Sequence, residues 1–245
     1  MIPKVIHYCW FGHNPLPPLA IECITSWKKY LPDYEIKEWN EDNFDVNIIQ
    51  YTSEAYKIGK YAFVSDYARF WILYHHGGLY FDTDVKIIKP INDIVSNGGF
   101  MGCESDCISK SSSVMVNPGL GLGCEAGDMI YGELLKRYAS QSFYHADGTP
   151  NLCTIVDYTT EVLTSFGMKQ QTGIQTVGTL TIYPSDYFNP VNIITKRLHV
   201  TANTRSIHYG AASWQHKGFR LRLKAFLRKL LPESILFAFN KLKHR

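Results

Sequence analysis

The chain has 245 residues, enough to bury a full core, and a composition of 45% hydrophobic and 19% charged residues excludes a disordered polymer. Its net charge of +3 is uneven: from Lys217 to Arg245 nine Lys or Arg face one acid, Glu233, so this segment is +8 and residues 1–216 are −5. An acidic body excludes a nucleic-acid partner read by a basic working face, and no apolar run approaches the ~20 residues of a membrane-spanning helix.

Val5–Trp10 is a short apolar strand closed by Phe11-Gly12, followed by a loop containing Pro15, Pro17 and Pro18. Leu19–Tyr30 has the pattern of a helix that ends before Pro32. Tyr34–Trp39 alternates as a second strand, and Asn40–Asn43 is a turn. Ser53–Ile58 is a short helix. Tyr61–His76 is a longer one, with an aromatic stripe at Phe63, Tyr67, Phe70 and Tyr74 and a glycine stop at Gly77 or Gly78. A strand follows, so the order β–α–β–α–β predicts an α/β fold with a mostly parallel central sheet flanked by helices. Ligands then bind at the carboxyl edge of the sheet, where Trp10, Trp39 and Asp82 emerge.

Residues 98–125 are rich in Gly, Ser and Cys and are expected to line a cleft. Gly119-x-Gly121-x-Gly123 lacks the spacing of a phosphate loop and reads as a flexible strand or loop. Gly127–Ser140 and Pro150–Phe166 are expected to be helical, and Leu180–Pro184 and Ser206–Tyr209 to be strands. Without repeats or a convincing linker, residues 1–216 form one domain and 217–245 a tail. The six cysteines show no Cys-x-x-Cys pair and no histidines at zinc spacing, and Met1-Ile2-Pro3-Lys4 runs straight into a strand with no leader-like segment. Reduced thiols in the cytoplasm are the simplest expectation.

The most informative stretch is Gly77-Gly78-Leu79-Tyr80-Phe81-Asp82-Thr83-Asp84. At a strand's end, side-chain alternation points Asp82 and Asp84 the same way. Two like charges that close repel unless a cation lies between them, and a hard divalent ion held by oxygen ligands is the usual answer. A metal–phosphate site competes here with an ordinary strand end bearing two solvated acids. In the preceding helix Asp66 and Arg69 are three apart on one face. They form either an internal ion pair or a grip on adjacent hydroxyls of a sugar. His75-His76 reads as a cationic cap on the helix dipole, and Glu104-Ser105-Asp106 as a solvated turn rather than a flank of the cleft.

Three ordered blocks carry a family resemblance. They are Ile2-Pro3-Lys4-x-Ile6-His7-x-x-Trp10, then Ser65-Asp66-x-x-Arg69-Phe70-x-x-Leu73-Tyr74-x-x-Gly77-Gly78-Leu79-Tyr80-x-Asp82-x-Asp84, then His208-x5-Trp214. Together they resemble the Asp-x-Asp sugar transferases of glycosyltransferase family 32, densely over 2–90, sparsely over 206–214 and faintly between about 100 and 200. The family includes yeast Golgi mannosyltransferases and bacterial capsule or lipopolysaccharide enzymes, and is distantly similar to clostridial toxin glucosyltransferases. The resemblance implies a GT-A fold, a nucleotide diphosphate sugar donor, a Mn²⁺ or Mg²⁺ ion and retention of anomeric configuration. It implies that Trp10 stacks near the nucleobase, that Asp66 and Arg69 hold donor-sugar hydroxyls, and that Asp82 touches ribose and sugar. Asp84 ligates the metal, His208 adds a metal ligand or diphosphate contact, and Ser213 and Trp214 close over the phosphates. On residues alone His208 fits a hydrogen-bonded structural histidine equally well. The chain lacks counterparts of the toxin helices that shape the acceptor site, so acceptor identity does not carry over.

In the tail, Phe219, Leu223, Phe226, Leu227, Leu230 and Leu231 recur at helical spacing, with Arg220, Lys224 and Arg228 opposite and a break at Pro232. A cationic amphipathic helix of this kind lies on an anionic membrane, here the inner face of the cytoplasmic membrane; the alternative is a helix docked on the domain. The leading expectation is a hexosyltransferase moving sugar from a UDP-linked donor, favoured over GDP, to a glycan or lipid-linked saccharide in surface polysaccharide synthesis. A haloacid-dehalogenase-type phosphatase with Asp82 as nucleophile is one alternative, although such enzymes place the motif near the N-terminus and want Thr or Val where Lys86 stands. A non-catalytic carbohydrate-binding module is another.

Overall fold

The computed structural model describes residues 1–106, 113–192 and 197–211. In chain order these form β1 (Val5–Cys9), α1 (Pro18–Tyr30), β2 (Glu35–Trp39), α2 (Gln50–Lys57), α3 (Tyr61–His76), β3 (Gly78–Tyr80), β4 (Val85–Ile87), α4 (Asn92–Ser96) and β5 (Gly99–Ser105). There follow β6 (Met115–Val116), β7 (Leu122–Cys124), α5 (Met129–Ala139), α6 (Ile155–Ser165), β8 (Gln175–Val177), β9 (Leu180–Tyr183), α7 (Ser185–Phe188) and β10 (Ser206–His208).

The main sheet runs β2-β1-β3-β7-β5-β9-β8, with β6 paired to β5, and β10 pairs with β4 in a separate two-stranded sheet. β2, β1 and β3 are mutually parallel, as expected from the β–α–β–α–β order. β7 is antiparallel to both β3 and β5, so β5 again runs with β1, and β9 is parallel to β5. The sheet is therefore mostly parallel, with β7 inserted in its middle. The glycine-rich 119–123 segment leads into this central strand, and Gly123 shows why glycine stands there: a Cβ would meet Leu79 at 2.7 Å and Phe100 at 2.8 Å.

Strand alternation sends neighbouring residues to opposite faces and so builds two cores. Ile6, Leu79 and Phe100 point to the face covered by α1, α4 and α7, where Trp27, Phe81 and Phe188 fill the space. Cys9, Tyr80 and Met101 point to the face covered by α2, α3, α5 and α6. There the stripe of α3 is consumed: Phe63 packs edge-on against Phe143 at 5.2 Å, Phe70 against Tyr131 at 6.0 Å, and Tyr67 against Tyr138 at 6.1 Å.

Helix α3 stops where two glycines permit a sharp entry into β3. Gly77 has φ 63°, and a Cβ on Gly78 would lie 2.7 Å from the Val5 carbonyl oxygen. His7, buried in β1, pins this turn. Its Nε2 is 3.1 Å from the Gly77 oxygen and its Nδ1 accepts from the Trp39 indole at 3.0 Å. Burial pushes the His7 pKa down to about 4, so the ring is a neutral strut.

Several expectations are corrected. Asp82 and Asp84 lie on the turn between β3 and β4, where Val85 N–H donates to the Asp82 oxygen at 3.0 Å, and not on a strand whose alternation aims them. Residues 150–154 are not helical: Thr154 and Asp157 form a capping box that starts α6 at Ile155, and Pro150 bridges to Tyr144. Trp39 turns inward, 4% exposed, instead of emerging at the edge. His75 and His76 occupy the last turn of α3 as expected; the His76 ring also packs 5.3 Å from Trp39, and burial, then the charges of Lys37 and His75, lower its pKa. His75 Nδ1 lies 2.8 Å from the Trp71 oxygen one turn earlier in α3. Glu104 and Ser105 belong to β5, and Asp106 accepts from the Ser185 backbone at 3.0 Å at the start of α7. The amphipathic segment 217–245 lies outside the described residues.

Candidate active site

The turn Phe81–Asp84 leaves the carboxyl edge of β3 and is fastened from three directions. Asp82 N–H donates to the Gly119 oxygen at 3.1 Å, drawing in the loop before β7. Gly119 lies so close that a Cβ there would sit 2.0 Å from Asp82 Oδ2, and its own N–H is held by Asn117 Oδ1 at 2.8 Å. On the other side β10 pairs antiparallel with β4, which sets His208 opposite Val85. This register delivers the imidazole to the motif: His208 Nε2 is 3.2 Å from Asp84 Oδ1. Beyond it, Tyr209 N–H donates to the Asp84 backbone oxygen at 3.1 Å and Ala211 N–H to Asp84 Oδ2 at 2.7 Å.

Arg69 is the hub of the opposite wall. Only 4% of its side chain is exposed, and it presents Nη2 to Asp66 Oδ1 at 2.9 Å and to Asp82 Oδ1 at 3.3 Å. Its Nε donates to the Ser65 oxygen at 3.1 Å, and its guanidinium lies 4.9 Å from the centre of the Tyr80 ring. The Tyr80 hydroxyl in turn donates to Asp82 Oδ1 at 3.2 Å. Asp66 and Arg69 thus form the internal ion pair that their spacing allowed, extended by a bond to Asp82 that the spacing did not show.

The carboxylates are electrostatically distinct. Burial pushes Asp66 up to about 7, and the charge of Asp82 adds to this while Arg69 opposes it. Asp82 is also raised, by burial first and by the charge of Asp84, with Arg69 pulling the other way. At Asp84 burial is likewise the largest influence. Here it is outweighed by the bond and charge of His208 and the Ala211 N–H, so the pKa falls. His208 moves reciprocally: burial favours its neutral form, but Asp84, Asp82 and Glu104 together raise its pKa.

Asp82, Asp84 and His208 each offer one ligand atom, all within 4.8 Å of one another. Two carboxylates and an imidazole converging at that separation, with Gly119 leaving room for an oxygen of Asp82, fit a divalent cation. Trp10 follows β1 at the same edge, its backbone N–H on the Trp39 oxygen at 2.8 Å and its indole on the Asn14 oxygen at 2.6 Å. The structure therefore gathers Asp66, Arg69, Asp82, Asp84 and His208 into one contiguous network; Ser213 and Trp214 lie outside the described residues. Tyr80 and Gly119 were missed by sequence reasoning. Tyr80 had the signal of a polar ring two residues before Asp82, whereas nothing local links Gly119 to the motif.

A three-layer α/β sheet with acids and an imidazole at its carboxyl edge is the GT-A arrangement. The sequence profile described as glycosyltransferase sugar-binding region containing DXD motif matches residues 17–101, which include Asp66, Arg69, Asp82 and Asp84. The chain is similar to inositol phosphoceramide mannosyltransferase 1 of Schizosaccharomyces pombe, 30% identical over 122 residues that make up 45% of this chain and 37% of that protein. It is also 30% identical over 109 residues to the uncharacterized glycosyltransferase L373 of Acanthamoeba polyphaga mimivirus, covering 41% of this chain and 42% of that protein. The match spans well under half the length of either relative. Among solved structures the PaToxG glycosyltransferase superimposes with a TM-score of 0.52 at 18% identity, over 67% of this chain and 69% of that one, which establishes the shared fold. Over residues 17–101 the chain is thus similar to the DXD sugar-binding region of glycosyltransferases, and it shares the fold of a solved glycosyltransferase.

Proposed function

We propose that the chain moves a hexosyl group from a nucleotide diphosphate sugar to a hydroxyl of a glycan or lipid-linked saccharide, with retention of configuration. The observation that carries this reading is the convergence of Asp82, Asp84 and His208 beside the buried Asp66–Arg69 pair. Asp84 and His208, with Asp82, would hold a divalent cation, Mn²⁺ in preference to Mg²⁺ because an imidazole is among the donors. Bound there, the ion would neutralise charge developing on the departing diphosphate. Arg69 holds Asp82 and Asp66 in place, leaving Asp82 to meet ribose and sugar and Asp66 to accept from a sugar hydroxyl. Trp10 would stack on the base, and Ser213 and Trp214 would close over the phosphates.

UDP is the proposed nucleotide, with GDP as the competitor. Relatives named as inositol phosphoceramide mannosyltransferases support a lipid-linked acceptor and keep mannose among the candidate sugars. We further assign residues 1–216 to the catalytic domain and 217–245 to a basic tether on the inner, anionic face of the membrane, in surface polysaccharide synthesis. No helix among the described residues is long and apolar enough to cross a membrane. A phosphatase mechanism is less apt, because Asp82 follows β3, the third strand, and is already engaged by Arg69 and Tyr80. A simple lectin would not need the second carboxylate and the imidazole.

Thermal melting with UDP- and GDP-linked sugars, each with Mn²⁺ or EDTA, tests the central claim, since a ligand of the folded state raises the midpoint. A metal-dependent shift with one nucleotide sugar is expected; no shift with any would overturn it. Co-sedimentation with anionic and neutral vesicles at two salt concentrations tests the tether, because each Lys or Arg contributes about 1 kcal/mol through a screened field. Equal, negligible pelleting throughout would remove the membrane from the proposal.

A further inference from the structure

The loop after β1 has an uncommon backbone shape, and a single carboxylate holds it. Gly12 has φ 96° and His13 φ 53°; His13 is the one non-glycine residue with positive φ among those described. Such a conformation persists only where its surroundings over-determine it. Glu41, on the turn after β2, supplies the main constraint. Its Oε1 accepts the Gly12 N–H at 2.6 Å and the Tyr56 hydroxyl at 2.9 Å, while His13 Nε2 lies 3.9 Å from Oε2.

The Glu41 side chain is only 12% exposed, and Oε2 is buried without a hydrogen-bond partner. Burial works against the Glu41 charge, but hydrogen bonds from the Gly12 and Glu41 N–H groups and the Tyr56 hydroxyl, with the charge of His13, outweigh it and lower its pKa, so the carboxylate is matched to this turn and does more than fill space. The rest of the loop is equally constrained. Phe11 packs edge-on to Phe44 at 5.8 Å, and a Cβ on Gly12 would meet the Tyr61 ring at 2.4 Å. The constraint then passes to Trp10: Asn14 Nδ2 donates to the Gly12 oxygen at 3.0 Å, and the Trp10 indole donates to the Asn14 oxygen at 2.6 Å. Glu41, Gly12, Asn14 and Trp10 are thus one continuous chain of hydrogen bonds.

We propose that Glu41 is a positioning residue for the nucleobase: it fixes the Gly12–His13 turn so that the Trp10 indole stands preset for stacking, and it acts through the loop without touching the ligand. This rests on the reading of Trp10 as the base-stacking residue. A preset ring lowers the ordering cost of binding, so the effect falls on nucleotide affinity more than on turnover at saturating donor.

Calorimetric titration of UDP and of GDP, each with Mn²⁺, into the full chain and its variants tests this. Glu41→Ala is expected to weaken nucleoside diphosphate binding roughly tenfold, the scale of one lost hydrogen bond to a charged group. Glu41→Gln, which keeps an oxygen for Gly12 N–H, is expected to restore most of the loss. Trp10→Ala should weaken binding by at least as much, and the double variant Glu41→Ala with Trp10→Ala no further than Trp10→Ala alone, because the two act in series. A residue with a merely structural role would lower the melting midpoint and give additive losses. Should Glu41→Ala not fold, Gly12→Ala pushes the same loop against Tyr61 and is expected to show the same non-additivity with Trp10→Ala. Additive losses, or unchanged affinity in Glu41→Ala, overturn the role of Glu41 while leaving the glycosyltransferase reading intact. Failure of the unaltered chain to bind either nucleotide removes that reading, and the role of Glu41 with it.

Discussion

Asp82 and Asp84 are one residue apart, yet they belong to two differently built walls. The Asp82 wall is local and buried: Asp66, Arg69 and Tyr80 come from α3 and β3, within 17 positions in sequence, and their carboxylates are raised by burial. The Asp84 wall is assembled from afar, by His208 and Ala211 on the β10 side, and its carboxylate is lowered. The contrast lies in what opposes burial: at Asp82 burial prevails over the Arg69 charge, whereas at Asp84 the His208 and Ala211 contacts outweigh it.

The largest expected effect tests the sealed wall. Arg69→Leu leaves Asp66 and Asp82 buried without their cation and should destabilise the fold by about 3–5 kcal/mol, read by denaturant unfolding. A loss below about 1 kcal/mol would show that water, not Arg69, stabilises these acids. On the other wall Asp84→Asn should leave stability nearly unchanged but lower turnover roughly 10²-fold or more, about 3 kcal/mol of transition-state stabilisation. EDTA should abolish the activity of the unaltered chain and Mn²⁺ restore it at least as well as Mg²⁺; full activity in chelator would remove the metal from the Asp84 wall.

Asp66→Ala sharpens the first wall further. It should impair use of the nucleotide sugar several-fold more than binding of the free nucleoside diphosphate. Equal weakening of both ligands together with early melting would make Asp66 a pure core partner.

The smallest effect concerns protons. His208 is held above its ordinary 6.5, so its proton contributes stability to the metal-free fold at low pH and that contribution is lost as pH rises through the elevated value. An imidazole must shed that proton to ligate, so Mn²⁺ affinity should climb across the same window. His208→Gln should flatten this dependence and weaken Mn²⁺ binding roughly tenfold or more, given that even groups behind a ligand act on that scale. A Mn²⁺ affinity with the same slope in His208→Gln would exclude the imidazole as a ligand.

Periodicity and punctuation in the sequence determined the local elements. α3 spans Tyr61–His76 as its aromatic stripe and the following glycines dictate, and the β–α–β–α–β order produced the parallel β2-β1-β3 core. The Asp-x-Asp motif and the Asp66–Arg69 spacing were equally legible, because each is a short-range pattern of side chains on one element. Tertiary structure decided what depends on strand pairing between distant segments. Nothing near residues 119–124 announces that β7 enters the middle of the sheet reversed, because a glycine-rich strand carries little alternation to read. The turn at Asp82 and the tightness of Gly119 against it follow from that insertion. His208 reaches Asp84 through the β10–β4 register, and a slip of one residue would turn its ring to the other face. Packing buried both chemically identical aspartates, and the His208 and Ala211 contacts brought by the β10 side then lowered Asp84 while Asp82 stayed raised.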